Sequence, residues 1–170
     1  VGAMADPNRS LIAVLVLSAA GVVGIALDEG YTSQAVPDPV LGVAVPTIGF
    51  GTTGPDVHMG ASTTPPKALA RMLSDVQKFE GAVKRCVTVP LHQHEYDAYI
   101  NLAYNIGSSA FCSSTLVRRL NEQHYTQACD EILKWRFVGK VDCAAPGNKS
   151  CPGLWARRQR QHRQCLGGAA

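Results

Sequence analysis

The chain has 170 residues and a mass of 18.1 kDa, which suffices for one compact domain with a core and excludes a large multidomain protein. Hydrophobic residues at 46% and charged residues at 17% exclude a disordered, collagenous or polytopic membrane chain. The net charge of +3 is uneven, because residues 111–170 carry ten basic residues against four acids. This basic part predicts an anionic partner, with a solvated helix face as the plainer alternative. Zinc-finger spacing and aromatic-rich strands are missing from the sequence, which argues against nucleic acid.

An uncharged stretch, LIAVLVLSAAGVVGIAL, runs from Leu11 to Leu27 with Ser18 as its only polar side chain. As a helix it would span about 26 Å, against a bilayer hydrocarbon core of about 30 Å. Arg9 precedes the stretch and acids follow it, so the positive-inside rule places the N-terminus in the cytoplasm. Small residues fill seven of its seventeen positions, so we expect a segment that enters a membrane and leaves it again. A cleaved signal peptide, a permanent anchor and a buried core helix are the alternatives.

The residues before this stretch and those after it have different expected roles. Residues 1–3 look like a cloning remnant, so Met4 is the expected native start. Residues 30–54 are rich in Gly, Pro, Thr and β-branched residues, which predicts a small β-hairpin or a three-stranded sheet. Thr64 before Pro65 predicts an N-cap. A long amphipathic helix to about Arg85 is then predicted by apolar residues at helical spacing, namely Leu69, Met72, Leu73, Val76, Phe79 and Val83.

Four more helices are predicted in the C-terminal half of the chain. They are residues 92–106 ended by Gly107, a short helix capped by Ser113 or Ser114 and running through Leu120, Tyr125 to Arg136, and about Leu154 to Cys165 with Arg157, Arg158, Arg160 and Arg163. The expected fold class is therefore α+β. A small β-sheet front lobe and a larger all-helical lobe would be joined by the long helix.

Six cysteines follow the apolar stretch, at positions 86, 112, 129, 143, 151 and 165, and their even number suits disulfides in an oxidising compartment. Cys143 and Cys151 flank a loop with Pro and Gly, which favours a local disulfide over a zinc site. The other pairings stay open. The five histidines form no HExxH motif, so we expect surface or core histidines and neither a metal nor a cofactor.

Three residues in the front lobe suit glycosidase chemistry, which needs a carboxylic acid to protonate the leaving oxygen and a second group to hold a water or attack. Glu29 ends the apolar stretch, where an apolar edge disfavours the charged carboxylate. Asp38 lies in a VPDPV turn, and Thr47 begins the segment TIGFG. A surface acid, a turn former and a strand residue are the plainer interpretations of the three.

The order EGYTSQAVPDPV…TIGFGTT, running Glu29, Asp38, Thr47, resembles the catalytic region of the phage-type lysozymes (glycoside hydrolase family 24), with its EG, YxD and TIGYGHT. The resemblance continues through residues 87–121, ACDEILKW at 128–135 and GLWARRQRQ at 153–161. Two positions depart from the pattern: Thr52 replaces the histidine, and Phe50 stands where tyrosine is common. The interval from Asp38 to Thr47 also exceeds that of the shortest members.

By this resemblance Glu29 would be the general acid, while Asp38 and Thr47 would position the attacking water. The implied reaction is hydrolysis with inversion of the β-1,4 bond between N-acetylmuramic acid and N-acetylglucosamine, causing host cell lysis. The implied partner is the peptidoglycan glycan strand, and the enzyme would be a monomer. A lytic transglycosylase and a non-catalytic, secreted, disulfide-stabilised cell-wall-binding protein are the alternatives.

The apolar stretch before Glu29 further resembles the signal-arrest-release endolysins, which the host secretion machinery exports and the inner membrane holds inactive. The implied division is an export segment at 4–27 and a catalytic domain at 28–170, with its β lobe at about 28–60, its linking helix at about 64–85 and its helical lobe at about 87–166. The enzyme would move from the inner membrane to the periplasm. Because no cysteine precedes Cys86, we expect release by depolarisation without thiol exchange. After release, residues 11–27 are expected to refold as a packed helix of the front lobe.

Overall fold

The computed structural model describes residues 6–38 and 42–168. Its fold is mixed α+β and mostly helical, as predicted. The helices are α1 (Ala19–Glu29), α2 (Pro65–Cys86), α3 (Gln93–Ile106), α4 (Ser108–Cys112), α5 (Thr115–Asn121), α6 (Tyr125–Glu131) and α7 (Pro152–Cys165), and the strands are β1 (Thr32–Asp38), β2 (Gly42–Gly49), β3 (Phe137–Val138) and β4 (Val141–Asp142). The supposed cloning remnant and Met4 lie outside the described residues.

The chain forms two compact units. The hairpin unit is Val22–Lys78, and the helical unit combines Val1–Gly21 with Phe79–Ala170. Helices α1 and α2 each cross a boundary between the units. The predicted division of the chain at residue 27, into an export segment and a catalytic domain, stays a prediction.

The hairpin unit contains the antiparallel pair β1 and β2, so the prediction of a hairpin is confirmed. A bridge between Gln34 and Ser62 extends the pairing beyond the two strands. Helix α2 begins at Pro65, and the Thr64 carbonyl accepts the first helical hydrogen bond from Ala68 N at 2.8 Å. Its predicted apolar face is only partly buried, because Leu69 and Leu73 are 41% and 40% exposed.

The helical unit is built around α3, in which Tyr96, Tyr99, Ile100 and Leu102 are fully buried. Gly107 ends α3 as predicted, with its N–H on the Ala103 carbonyl and a φ of 89° that favours glycine. Ser114 caps α5 by accepting a hydrogen bond from Val117 N. Three disulfides staple the unit: Cys143–Cys151, as predicted, and the two pairs that stayed open, Cys86–Cys112 and Cys129–Cys165.

Several short elements differ from the sequence prediction. Helix α6 ends at Glu131 and continues as a short 3₁₀ helix, Ile132–Lys134, so the helix expected to reach Arg136 is shorter. Helix α4 and the β3–β4 hairpin were not expected, because five and two residues are too few to show a hydrophobic period.

Two arginines of α7 also differ from the solvated helix face that the sequence suggested. Arg157 and Arg158 are 7% and 2% exposed. Arg158 donates to the Trp135 carbonyl at 2.7 Å, and Arg157 donates to Asn101 Oδ1 at 3.0 Å. The two side chains therefore stabilise the core, and the basic surface is smaller than the charge count implies.

The apolar stretch from Leu11 to Leu27 is not one helix. It forms a short 3₁₀ helix, Ile12–Val14, then a segment at 15–18 that is neither helix nor strand, and only from Ala19 the helix α1. The idea that the whole stretch packs as a helix of the front lobe is therefore wrong for its first half. Within the described residues, the helices are either too short or too polar to cross a bilayer.

Candidate active site

Glu29 is the last residue of α1, and its carboxylate lies directly against the backbone of Gly51. A Cβ at position 51 would be 2.7 Å from Glu29 Oε2 and 3.1 Å from Cδ. Gly51 also has a φ of +74°, which other residues rarely adopt. Glycine is therefore required at this position twice over, by conformation and by the approach of Glu29.

A tight turn over residues 48–52 brings Gly51 into this position. Ile48 and Thr52 exchange two backbone hydrogen bonds of 2.9 and 3.0 Å. Gly49 in the same turn packs on α2, because a Cβ there would lie 2.9 Å from Ala68 Cβ. The turn is thus fixed by its own hydrogen bonds and by contact with α2.

Thr52, which replaces the family's histidine, is a buried residue at 3% exposure. Its hydroxyl is 3.4 Å from Asp75 Oδ2 on α2. Asp75 Oδ1 in turn accepts a hydrogen bond from Lys78 Nζ at 2.9 Å. This departure from the family pattern therefore falls on a residue that supports the turn and lies outside the set of three predicted catalytic groups.

Asp38 and Thr47 lie on the two paired strands of the hairpin. Thr47 on β2 is opposite Val36, whereas Asp38 at the end of β1 is opposite Gly42, because the register shifts between Pro37 and Asp38. Antiparallel pairing therefore places Asp38 and Thr47 on one hairpin, with Asp38 nearer to the end where β1 leads into β2. At the other end of the hairpin, Thr32 pairs with Gly49, two residues before the glycine that Glu29 contacts.

The Thr47 hydroxyl is buried and has no hydrogen-bond partner among the described residues. A second threonine hydroxyl of the same hairpin, on Thr32, shares this state. A buried hydroxyl without a protein partner is unusual, because its desolvation then has no compensation. Such a group keeps its capacity to donate and accept for a small polar molecule.

An aromatic pair lies beside the turn. The rings of Tyr31 and Phe50 have centroids 5.4 Å apart and a tilted arrangement. The Tyr31 hydroxyl donates to the Thr63 carbonyl at 3.2 Å. Phe50, the second departure from the family pattern, therefore has a packing role in this structure that needs no phenolic hydroxyl.

A cavity of about 250 Å³ in the hairpin unit lies beside the turn. Its lining includes Thr52, Asp56 and Arg71, while Glu29, Asp38 and Thr47 are not among its described lining residues. Arg71 Nη2 donates to Asp56 Oδ1 at 3.0 Å. This hydrogen bond, the largest cause, lowers the pKa of Asp56 to about 2. The pair closes one side of the cavity and plays no part in the predicted chemistry.

The structure places Glu29, Asp38 and Thr47 in the hairpin unit. One turn connects Glu29 with Thr47, because Glu29 contacts Gly51 and Thr47 precedes Gly51 by four positions. Sequence reasoning missed the contact between Gly51 and Glu29, although the glycines of TIGFG are a signal of close backbone approach. It also missed Asp75, for which no motif could have given a signal.

Comparison with known proteins agrees with this geometry. The family model described as phage lysozyme matches residues 26–161. The endolysin of Salmonella phage P22 is 38% identical over 128 residues, which cover 73% of this chain and 86% of that protein. A SAR-endolysin of Pseudomonas phage phiKMV is 34% identical over 149 residues, 87% of each chain.

The fold agrees as well. The structure of an endolysin from Escherichia coli O157:H7 phage FAHEc1 superposes with a TM-score of 0.76 at 31% identity, covering 93% of this chain and 96% of that one. The matched range spans the turn, the hairpin and the helical unit alike. The chain therefore belongs to the phage lysozyme family and is a muramidase-type glycoside hydrolase.

Proposed function

We propose that the protein is a phage endolysin that hydrolyses the β-1,4 bond between N-acetylmuramic acid and N-acetylglucosamine in peptidoglycan, with inversion. Membership in a family of glycoside hydrolases favours catalysis over the non-catalytic wall-binding alternative. An inverting enzyme needs an acid on one side of the bond and a positioned water on the other. The chain offers candidates for both roles in one unit.

Glu29 is the proposed general acid, which protonates the leaving glycosidic oxygen. Asp38 and Thr47 are proposed to orient the water that attacks the anomeric carbon, with Asp38 taking its proton. The observation that carries this assignment is the buried Thr47 hydroxyl, which has no partner among the described residues. Its hydrogen-bonding capacity is available to a water, while the Gly51 contact fixes the Glu29 carboxylate at the adjoining turn.

The exposed basic residues of the helical unit suit a polyanionic cell wall. Arg118, Lys140, Lys149 and Arg163 are exposed and remain available for this interaction. Arg157 and Arg158 are buried in the core, so they are left out of the proposed wall contact. The protein is proposed to act as a monomer.

Export and membrane retention form the second part of the proposal. Residues 11–27 are proposed to hold the enzyme inactive in the inner membrane with its N-terminus in the cytoplasm, after export by the host secretion machinery, until depolarisation releases it to the periplasm. The uncharged sequence supports this, and several similar proteins are named SAR-endolysins.

Loss of the proposed acid gives the main test. Glu29→Gln should abolish turbidity clearing of permeabilised Gram-negative cells while binding to purified cell walls persists, because only proton donation is lost. Glu122→Gln, an exposed carboxylate of the helical unit, is the matched control and should clear normally. Normal clearing by Glu29→Gln would remove Glu29 from catalysis.

Product analysis separates hydrolysis from the transglycosylase alternative. Proton NMR of early products should show a new α-anomeric reducing end, which is the mark of inversion at a β bond. Products with anhydro ends would identify a lytic transglycosylase instead. A β-anomeric first product would indicate a retaining enzyme and would contradict the role given to Thr47.

The release step has its own test. Activation of the membrane-bound form by depolarisation should proceed equally with and without reductant, because every cysteine lies at or beyond position 86 and is disulfide-bonded. A strict requirement for reductant would contradict release without thiol exchange.

A further inference from the structure

The first described residues, 6–18, form an N-terminal arm, a part of the helical unit that polar contacts hold to the rest of that unit. Ser10 and Leu91 exchange two backbone hydrogen bonds of 2.9 Å. The Val16 carbonyl accepts a hydrogen bond from Gln93 Nε2 at 2.9 Å. These contacts engage the backbone of the arm.

Three carboxylates of the helical unit bind the arm at defined points. Glu95 accepts from Arg9 Nη2 at 2.6 Å, and the Arg9 guanidinium also lies 3.6 Å from the centre of the Tyr125 ring. Glu80 Oε1 accepts from Leu17 N at 2.7 Å. Hydrogen bonds to ionised carboxylates are about twice as strong as neutral ones, so these contacts are the strongest that the arm makes.

Asp97 is the most extensively used of the three carboxylates. Its two oxygens accept from Ser18 N at 3.0 Å and from Ser18 Oγ at 2.5 Å, while Ser18 Oγ accepts from Gly21 N. Asp97 is 4% exposed and Glu95 is 3% exposed, so both are buried acids. Each also accepts one hydrogen bond of 2.8 Å from outside the arm, Asp97 from Gln93 Nε2 and Glu95 from His92 N. Ser18 thus links the Asp97 carboxylate to the first turn of α1, the helix that ends at Glu29.

Gly21 makes this approach possible. A Cβ at position 21 would lie 3.1 Å from Asp97 Cγ and 2.5 Å from the Leu17 side chain. Gly21, one of the small residues of the apolar stretch, is therefore needed for the packing of the docked arm. This structural role is separate from the weak affinity for lipid that small residues also give.

The apolar side chains of the arm mostly point outward. Leu11, Val14 and Val16 are 69%, 71% and 64% exposed, whereas Leu15 is buried at 6%. Burial of apolar surface thus contributes little to holding the arm. Most of the apolar side chains that could bind a bilayer stay exposed.

We propose that the carboxylates of Glu80, Glu95 and Asp97 form a polar latch for the N-terminal arm, and that a lipid bilayer competes with this latch for the arm. The inference rests on the membrane retention in the proposed function and adds what captures the arm after release. Leaving the latch removes the hydrogen bonds of Glu95 to Arg9 and of Asp97 to Ser18, which leaves two buried acids with fewer partners, while entering lipid covers three exposed apolar side chains. The balance between the two sets the fraction of released enzyme.

Flotation with phosphatidylcholine vesicles tests the latch on the full chain. Asp97→Asn should raise the ratio of vesicle-bound to free protein about tenfold, because it weakens the charge-assisted bonds to Ser18 without changing the arm itself. Glu122→Gln removes the same charge from an exposed site and should leave the ratio unchanged. Val14→Ser should lower the ratio, because Val14 is 71% exposed in the latched arm and would be covered by lipid.

The outcomes separate the latch from the proposed function. Equal binding of Asp97→Asn and Glu122→Gln would overturn the latch alone, provided that the wild type binds vesicles. If the wild type and all variants stay unbound, membrane retention itself is wrong, and so is the latch. Peptidoglycan cleavage by the unbound wild type, measured in parallel, reports on the hydrolase separately.

Hydrogen exchange on the wild type covers the case in which Asp97→Asn fails to fold. The amides of Leu17 and Ser18 donate to carboxylates of the latch and should exchange slowly in solution. Adding vesicles should speed their exchange in the bound fraction while amides of α3 keep their protection. Fast exchange of both amides without vesicles would overturn the latch.

Discussion

The hairpin unit and the helical unit are stabilised in different ways. The helical unit holds all six cysteines as three disulfides and buries two arginines of α7. The hairpin unit, Val22–Lys78, contains no cysteine at all, yet it carries Glu29, Asp38 and Thr47. Its turn instead depends on glycines with positive φ, and two of its threonine hydroxyls are buried without described partners.

This difference indicates that stability and chemistry are assigned to separate parts of the chain. Covalent links lower the entropy of the unfolded helical unit and need no particular surface. Positive-φ glycines occur in both units, but the two threonine hydroxyls that are buried without described partners both lie in the hairpin unit, and such groups lower stability and occur at functional sites. Changes in the helical unit should therefore affect unfolding most, and changes in the hairpin unit should affect turnover most.

Removal of the longest-range disulfide should give the largest effect on stability. Cys129 and Cys165 are 36 residues apart and both 1% exposed, so the double change to alanine should lower the free energy of unfolding by about 4 kcal/mol. Urea unfolding gives the value. Replacing Cys143 and Cys151, which are 8 residues apart, should cost about 2 to 3 kcal/mol. If either change lowers turnover of the protein that remains folded, the assignment of stability and chemistry to separate units fails.

In the hairpin unit, removal of one hydroxyl should lower turnover without lowering stability. Thr47→Val keeps the shape of the side chain, and removing an unpartnered buried hydroxyl should leave stability equal or higher. Turnover should nevertheless fall by about 100-fold if the hydroxyl positions the water, the loss seen for one positioning group. Cell-wall clearing and thermal unfolding measure the two effects.

Thr32→Val provides the matched control for that change. The Thr32 hydroxyl belongs to the same hairpin and is also buried without a described partner, but it has no proposed role. Its loss should leave turnover near the wild-type level. Equal loss of turnover in both variants would assign the effect to the hairpin fold and not to water positioning.

The contact between Gly51 and Glu29 should show a smaller, mixed effect. Gly51→Ala forces a Cβ to within 2.7 Å of Glu29 Oε2 and strains a backbone with φ of +74°. We expect a loss of about 1 to 3 kcal/mol in stability from the strain and about tenfold in turnover from displacement of the acid. Gly60→Ala, at φ of +91° with open space around it, should lose stability but keep turnover. Equal turnover in the two variants would show that the contact does not position Glu29.

Sequence reasoning predicted the elements that have strong local signals. Helix α3 with its Gly107 stop, the start of α2 at Pro65 and the Cys143–Cys151 disulfide are all confirmed. The positions of Glu29, Asp38 and Thr47 came from a motif, and their chemical roles stay predictions. Each of these features depends on residues close together in the sequence.

Features that depend on distant residues were missed or misread. The burial of Arg158 requires Trp135 and Asn105, which lie on other elements, so a charge count could only suggest an exposed face. Helix α1 begins only at Ala19, and the residue before it, Ser18, donates hydrogen bonds to Asp97, 79 residues away. Periodicity within one segment carries no information about such partners.

Acid stability should give the smallest difference between the units. The hydrogen bond from Arg71 holds the pKa of Asp56 at about 2, below the value near 3.9 of an unfolded chain. A carboxyl with a depressed folded pKa contributes stability above the unfolded pKa, and this contribution is lost as pH falls from about 4 to about 2. In urea unfolding across this range, Asp56→Asn should therefore show a shallower decline than the wild type. At neutral pH the change should be small, because the pair is solvent-exposed.

In the helical unit, the Asn8 backbone N–H lowers the pKa of Asp6 in the same direction, so part of the decline should remain in the variant. A decline identical to that of the wild type would mean that the Asp56–Arg71 pair does not persist in solution.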